Sequence, residues 1–192
     1  MAATTFPSTT ECPHCGAALN ARYAQLGQKR LFCGYEQCTC AGAEAEREAI
    51  AAREMDAAER AEADRRRRSL VRAGVPERYL ALDHPMAGEL ASAMEEGRWL
   101  YLWGDVGTRK TTCAAAVAMR LHDNGKRPLM VPMYRVLDEI QRSFHEGGDP
   151  LRRYADADYL IIDDLGKRRP TGFVLDSLFQ LVDRRYSAMR PT

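Results

Sequence analysis

The stretch LYLWGDVGTRKTT at residues 100–112 decides the fold, because an apolar run leads into a glycine-containing loop and then into a helix-forming sequence. Gly104, Lys110 and Thr111 fill three positions of the phosphate-binding pattern G-x-x-x-x-G-K-[ST]. The second glycine of that pattern is replaced here by Arg109. In such a loop, backbone N–H groups and the start of the following helix surround phosphate oxygens. The stretch therefore predicts a nucleotide site with one departure from the pattern.

A second stretch, DYLIIDDLG at residues 158–166, supports the same site, because it is an apolar run that ends in two acidic residues. Asp163 is predicted to hold Mg²⁺ together with the Thr111 hydroxyl, and Asp164 to orient an attacking water. Lys110 is predicted to reach the β- and γ-phosphates. The predicted catalytic residues are Lys110 and Asp164, and the predicted nucleotide-binding residues are Gly104, Asp105, Val106, Gly107, Thr108, Arg109, Lys110, Thr111, Thr112 and Asp163.

From Val75 onward, apolar runs alternate with amphipathic segments. Strands that alternate with helices predict one parallel sheet with right-handed crossover connections. The fold class is therefore α/β. The predicted strands are residues 98–103, 129–133 and 158–166, and the predicted helices are residues 110–122, 134–147 and 173–188.

Five of the six cysteines lie close together near the start of the chain. That start has neither the basic segment nor the apolar segment of a secretory signal, so a metal site is favoured over disulfides. Cys12 and Cys15 form a C-x-x-C knuckle suited to Zn²⁺. Cys33, Cys38 and Cys40 are three candidates for the two remaining ligands. The sequence therefore predicts a small zinc-binding module.

Residues 42–73 are rich in Ala, Glu and Arg and predict one long, charged connector helix. The RRRR run at residues 65–68 either contacts nucleic acid or is the charged end of a helix, and the second interpretation is favoured. The formal net charge of +1 gives no global attraction to nucleic acid or to a membrane. No apolar run is long enough to span a membrane, so we expect a cytoplasmic protein without a membrane partner.

Four stretches together resemble the DnaC-type helicase loaders of the AAA+ ATPases and the related IstB-type transposition helpers. They are AGVPERYLALD (73–83), LYLWGDVGTRKTT (100–112), DADYLIIDDLGKRRPT (156–171) and LFQLVDRRYSAMRPT (178–192). The resemblance covers residues 74–192. It implies a three-layer AAA+ core with a parallel sheet, dependence on ATP and Mg²⁺, and homo-oligomers at full length. It also implies the loading of a replicative ring helicase on single-stranded DNA.

Some members of this group carry an N-terminal zinc module that grips the helicase. The second half of that module ends in C-x-C, which implies Cys38 and Cys40 as the remaining ligands and Cys33 as the alternative. The resemblance thus implies three regions: a zinc module at 1–41, the connector helix at 42–73 and a partial ATP-binding domain at 74–192.

The chain departs from the resemblance at two places. Arg109 brings a Cβ and a long side chain into a loop that must lie close to phosphate, so we expect weak ATP binding and little hydrolysis. The chain also stops at Thr192, before the strand with a sensor residue and before the arginine finger, so we expect a C-terminally truncated copy. Two alternatives remain: a zinc-bearing helicase-binding module with an inert ATPase domain, and a transposition helper of the IstB type. The zinc module favours the loader over the transposition helper.

Overall fold

The structure is a computed structural model and describes residues 7–27, 29–146, 148–166 and 171–192. Residues 167–170, which belong to one of the resembling stretches, lie outside the described residues. The contacts within the chain divide it into two compact units, Met1–Ala63 and Asp64–Thr192. Each unit is described by itself.

The first unit begins with a three-stranded antiparallel sheet, made of β1 (Thr9–Glu11), β2 (Ala18–Leu26) and β3 (Lys29–Tyr35) in that order. The turn between β1 and β2 carries the C-x-x-C knuckle, and the second pair of predicted ligands follows β3. Cys12 is the one buried residue in the described part of 7–40. A sheet that buries so little apolar surface needs another source of stability.

A continuous helix, α1 (Ala41–Arg72), follows the sheet and confirms the predicted long helix. Near its end, Arg66 donates two hydrogen bonds to the Asp123 carboxylate at 2.7 and 2.8 Å, and Arg67 pairs with Glu77 at 2.7 Å. Two of the four consecutive arginines are thus engaged in ion pairs at the helix end. No helix within the described ranges, α1 included, is long and apolar enough to cross a membrane.

The second unit is a mixed α/β structure around two parallel strands. Its elements after α1 are a 3₁₀ turn (Glu77–Tyr79), α2 (Ala87–Glu95), α3 (Lys110–Asp123), β4 (Pro128–Pro132), α4 (Met133–Glu146), α5 (Arg152–Ala155), β5 (Tyr159–Asp163) and α6 (Gly172–Ser187). The register places Met130 opposite Ile161 and Pro132 opposite Asp163. The predicted helices after the loop and the strands at 129–133 and 158–166 are therefore confirmed to within a few residues.

Helices cover both faces of this sheet. Met130 and Ile161 pack into one core cluster with residues of α2 and α3, whereas Val131 and Leu160 pack into a second cluster with residues of α4 and α6. Successive residues of a strand point to opposite faces, so the two clusters lie on opposite sides of β4 and β5. The sheet is held between two helical layers.

The predicted strand at residues 98–103 is wrong for the described structure, which has no strand there. One backbone hydrogen bond joins this segment to the last residue of the sequence. The Leu100 N–H donates to the Thr192 carbonyl at 2.9 Å. Pro191 in turn accepts from Leu160 N–H of β5 at 3.3 Å. Isolated bonds of this kind do not make a ladder, and Trp103 of the segment remains 80% exposed. The apolar run therefore stays irregular although its composition favours a strand.

Candidate functional site

The predicted phosphate loop is a glycine-containing turn that leads directly into α3. Residues 104–109 form the exposed turn, and Lys110, Thr111 and Thr112 form the first turn of the helix. Gly104 and Gly107 have φ values of 145° and 89°, which side-chain-bearing residues rarely adopt. The first N–H groups of a helix have no partner within the helix and favour anions. The turn thus brings the N–H groups of a helix start and a lysine close together.

The Lys110 ammonium group lies inside the loop and contacts it at three places. Its Nζ donates to the carbonyl oxygens of Gly104 at 2.8 Å and Asp105 at 2.6 Å, and to Thr108 Oγ1 at 3.2 Å. Thr108 itself donates from its hydroxyl to the Asp105 carbonyl at 2.9 Å. The loop therefore closes around the cation, and a phosphate group that pairs with Lys110 has to replace some of these carbonyl contacts.

Thr111 and Asp163 come from elements that are far apart in the sequence and meet at the start of α3. The Thr111 hydroxyl donates to Asp163 Oδ1 at 3.2 Å. Two oxygen ligands on neighbouring octahedral positions of Mg²⁺, each at about 2.0–2.1 Å, are about 2.9 Å apart. The separation of the two oxygens is therefore close to that of two ligands of one Mg²⁺ ion, and Asp163 could supply the negative charge at the carboxyl end of β5.

Asp164 follows directly and has a strained backbone. Its φ is 59°, in the left-handed region, and its N–H donates to Asp163 Oδ1 at 2.9 Å. Left-handed backbone at a residue other than glycine costs on the order of 1–3 kcal/mol and is concentrated at functional sites. The turn orients the Asp163 carboxylate toward Thr111 and places a second carboxylate next to it.

Arg109 is the second strained residue at this site. Its φ and ψ are 60° and 25°, so the position before the lysine is left-handed, the conformation that glycine adopts without cost. Its guanidinium group lies 3.5 Å from the Asp83 carbonyl, at the limit of a hydrogen bond. Asp83 also pairs with Arg120 of α3 at 2.5 Å. The sequence did not predict the contact between Asp83 and Arg109, because the two residues are 26 positions apart and no motif links them.

The four predicted zinc ligands lie together in the first unit. Cys12 Sγ lies 3.9 Å from Cys40 Sγ, Cys15 Sγ lies 3.5 Å from Cys38 Sγ, and all four sulfurs lie within 4.8 Å of one another. Cys33 is outside this group, is exposed, and donates to the Leu31 carbonyl at 3.4 Å. The cysteine cluster, Cys12, Cys15, Cys38 and Cys40, is consistent with a tetrahedral Zn²⁺ site.

The thiols of the cysteine cluster differ in acidity. The pKa of Cys12 is lowered to about 6, chiefly because the backbone N–H of His14 donates to its sulfur. The backbone N–H of Ala17 also lowers the pKa of Cys15, but the neighbouring Cys38, Cys40 and Cys12 thiols outweigh it and raise that pKa to about 12. Thiolates this close repel one another, and a bound divalent cation removes that repulsion.

Contacts outside the cluster hold it against the start of α1. Arg47 donates to the Cys38 carbonyl at 2.8 Å, and His14 Nε2 lies 2.9 Å from a Glu46 carboxylate oxygen. A Cβ at Gly42 would lie 2.8 Å from the Cβ of His14, so glycine is required for this close approach. The knuckle and the first turns of the helix therefore pack as one body within the first unit.

Comparison with known proteins shows a distant and partial similarity. No protein-family profile matches the chain. It is 34% identical over 90 residues to the uncharacterized protein YdaV of Escherichia coli (strain K12), which is 45% of this chain and 36% of YdaV. It is 30% identical over 93 residues to the replicative helicase loader DnaC of the same organism, which is 46% of this chain and 38% of DnaC. The chain thus spans well under half the length of the curated relatives it matches.

Proposed function

We propose that this chain binds a nucleoside triphosphate at residues 104–112 and Asp163, and that it belongs with the AAA+ helicase loaders that act in the initiation of DNA replication. The observation that carries the proposal is the contact between Thr111 Oγ1 and Asp163 Oδ1 at 3.2 Å. It joins the helix start that follows the glycine loop to the acidic end of β5, 52 positions later. The similarity to DnaC supports the same proposal.

Each residue of the proposed site has a distinct part. The loop amides and Lys110 bind the phosphates and offset their charge. Mg²⁺, held by Thr111 and Asp163, would supply electrostatic stabilisation of the transferred phosphoryl group. Asp164 is placed next to Asp163, where its carboxylate orients water for hydrolysis. The layers of helix on both faces of β4 and β5 support an AAA+ core for residues 74–192.

The first unit supports the second half of the proposal, a docking module for a ring helicase that is loaded on single-stranded DNA. In it, zinc bound by the cysteine cluster holds residues 1–41, and residues 42–73 connect this module to the ATP-binding domain. The packing of Arg47 against the Cys38 carbonyl supports a fixed link between the zinc site and the connector. A homo-oligomer is part of the same proposal.

One observation favours a second candidate, a helicase-binding module whose ATPase domain is inert. Arg109 combines a left-handed backbone with a long side chain at the position where the pattern has glycine. The Lys110 ammonium group also donates to two loop carbonyls and to the Thr108 hydroxyl. A site in this condition binds nucleotide weakly, while the docking function of the first unit does not depend on it.

Substitution of Asp163 tests the nucleotide site directly. We expect Asp163→Ala to abolish the Mg²⁺-dependent part of ATP binding, because the metal loses its carboxylate ligand. Asp158→Ala is the matched control, since Asp158 directly precedes β5 at the end away from Asp163 and pairs with Arg127 at 2.9 Å. The measurement is a titration with a fluorescent ATP analogue, with and without Mg²⁺, in the native and Arg109→Gly backgrounds. Equal Mg²⁺-dependent affinity in the Asp163 and Asp158 variants would remove the proposed metal site.

A further inference from the structure

Two close sulfur contacts of the cysteine cluster join the knuckle to the segment that follows β3. Cys15 Sγ lies 3.5 Å from Cys38 Sγ, and Cys12 Sγ lies 3.9 Å from Cys40 Sγ. A disulfide bond is about 2.0 Å long, so the sulfurs of the nearer pair have to approach each other by only about 1.5 Å to become bonded. The four thiols therefore form two pairs, and each pair bridges two separate parts of the module.

The two pairs differ in their access to solvent. Cys15 is exposed and Cys38 is partly exposed, whereas Cys12 of the other pair is only 3% exposed. Zinc-bound cysteines are thiolates, which are the reactive form of the side chain. Oxidation of cysteine follows thiolate character and exposure. A soluble oxidant therefore reaches the pair of Cys15 and Cys38 first.

We propose that the cysteine cluster is a redox-sensitive zinc site, in which a peroxide converts Cys15 and Cys38 to a disulfide and releases Zn²⁺. The proposal rests on the zinc-binding part of the proposed function and adds a means of regulating it. It does not depend on the nucleotide site.

The reaction takes place in two steps at the two sulfurs. The Cys15 thiolate attacks one oxygen of the peroxide, which forms a sulfenic acid and releases hydroxide. The Cys38 thiolate then attacks the Cys15 sulfur, forms the S–S bond and displaces a second hydroxide. The two sulfurs supply the two electrons that reduce the peroxide, and two protons from solvent convert the hydroxides to water.

The loss of two ligands explains the release of the metal. Only Cys12 and Cys40 remain as thiolates, which is half of the ligand set of a structural zinc site. The new disulfide still ties the knuckle to the segment after β3. Reduction by a thiol restores the ligands, so the change is reversible.

Zinc release from the full, zinc-loaded chain is the first measurement. One equivalent of hydrogen peroxide is added without other oxidants, and a chromogenic chelator reports free Zn²⁺. We expect about one zinc per chain to be released. Dithiothreitol with added Zn²⁺ should restore the original zinc content, because the disulfide is reducible.

Peptide mapping then identifies the cysteines that are joined. Trypsin, which cleaves after Lys and Arg, places Cys12 and Cys15 in the peptide 1–22 and Cys38 in the peptide 31–47. A disulfide between Cys15 and Cys38 joins these two peptides, and fragmentation of the linked pair locates the bond. A disulfide within the knuckle would leave the two peptides separate.

Cys33→Ser is the matched control, because Cys33 is an exposed thiol outside the cluster. It should release zinc at a rate within about twofold of the native chain, since oxidation follows the exposed ligands. Cys113 is 4% exposed and should remain a free thiol throughout, as shown by maleimide labelling after unfolding.

Three results would overturn the proposal: zinc that stays bound while the peroxide is consumed, a disulfide within the knuckle, or zinc loss that dithiothreitol does not reverse. A chain that holds no zinc before peroxide is added would contradict the zinc site itself. Zinc that is present and then retained would contradict the redox response alone.

Discussion

In the described part of residues 7–40 only Cys12 is buried, whereas α3 alone buries nine residues directly behind the phosphate loop. The cysteine cluster therefore has little apolar core to hold its four thiols in place, and we expect a bound metal to stabilise it. The proposed phosphate loop adjoins a packed helix and β5, so we expect it to keep its geometry without a ligand. We therefore expect metal removal to unfold the first unit, whereas the second unit should respond mainly to substitution of its buried side chains.

Zinc removal is expected to have the largest effect. Chelation, or Cys12→Ser combined with Cys15→Ser, should release about one zinc per chain and unfold residues 7–40, because metal binding supplies the folding free energy of small sites of this kind. The second unit should stay folded, since its two core clusters contain no cluster ligand. Metal analysis and amide hydrogen exchange, resolved by peptide, measure both parts.

Cys33→Ser is the control for this experiment, because Cys33 is a nearby thiol outside the cluster. It should leave both the zinc content and the exchange rates near native. If the β1–β3 sheet remained protected from hydrogen exchange in metal-free protein, the first unit would not depend on zinc and the difference between the two units would be wrong.

Arg185→Met is expected to produce the next largest effect, confined to the second unit. Arg185 is fully buried and donates to the carbonyls of Tyr154 at 2.8 Å, Ala157 at 2.6 Å and Pro191 at 2.6 Å. Burial lowers its pKa to about 10, so it is still charged at neutral pH. Its loss should cost about 2–6 kcal/mol, because the Tyr154 and Ala157 carbonyls are left without a donor at about 1–3 kcal/mol each, whereas the Pro191 carbonyl keeps the Leu160 N–H.

The neighbouring Arg184 offers a matched control for the same measurement by urea unfolding. It is half-exposed and pairs with Asp149 at 2.6 Å, so Arg184→Met should cost no more than about 1 kcal/mol. Equal midpoints for the two variants would show that the buried arginine does not hold the end of the chain to the loop that follows α5.

The sequence was sufficient to predict the helix at 41–72, the α3 and α6 helices, and the strands β4 and β5, because these segments combine strong helix or strand composition with glycine and proline at their ends. It also identified the four cysteines that lie together, since the second pair followed from a resemblance. Local composition was sufficient for the helices and strands, whereas the second cysteine pair depended on the resemblance.

The strand at 98–103 and the role of Arg185 show what local composition cannot supply. The Leu100 N–H donates to the Thr192 carbonyl. A strand needs a series of such hydrogen bonds to a neighbouring strand, and local composition does not show whether that neighbour is present. Arg185 looks like one more charge at a helix end, yet it is buried among carbonyls from a loop about thirty positions earlier. The left-handed backbone of Arg109 likewise could not be predicted from the sequence. It gives a second reason why glycine suits that position, since glycine adopts this conformation without strain.

The smallest effect on the fold and the sharpest effect on function are both expected at Arg109. Glycine removes the left-handed strain and the long side chain together, whereas Arg109→Ala removes the guanidinium group and keeps a Cβ in a left-handed backbone. The two substitutions therefore separate the charge of the side chain from the shape of the loop. Neither should change the unfolding midpoint by more than a small amount, since residue 109 is exposed and the strain that glycine relieves is offset in part by the larger entropy of the unfolded chain.

The central claim is that residues 104–112 form a true phosphate loop impaired by Arg109, and calorimetric titration of ATP with Mg²⁺ tests it most directly. We predict that Arg109→Gly binds ATP at least about tenfold more tightly than the native chain, or about 1.4 kcal/mol. Arg109→Ala should fall between the two, and Lys110→Ala in the glycine background should abolish the gain. Equal ATP affinity of the native and glycine proteins would contradict the account, because Arg109 would then be an accommodated part of the site.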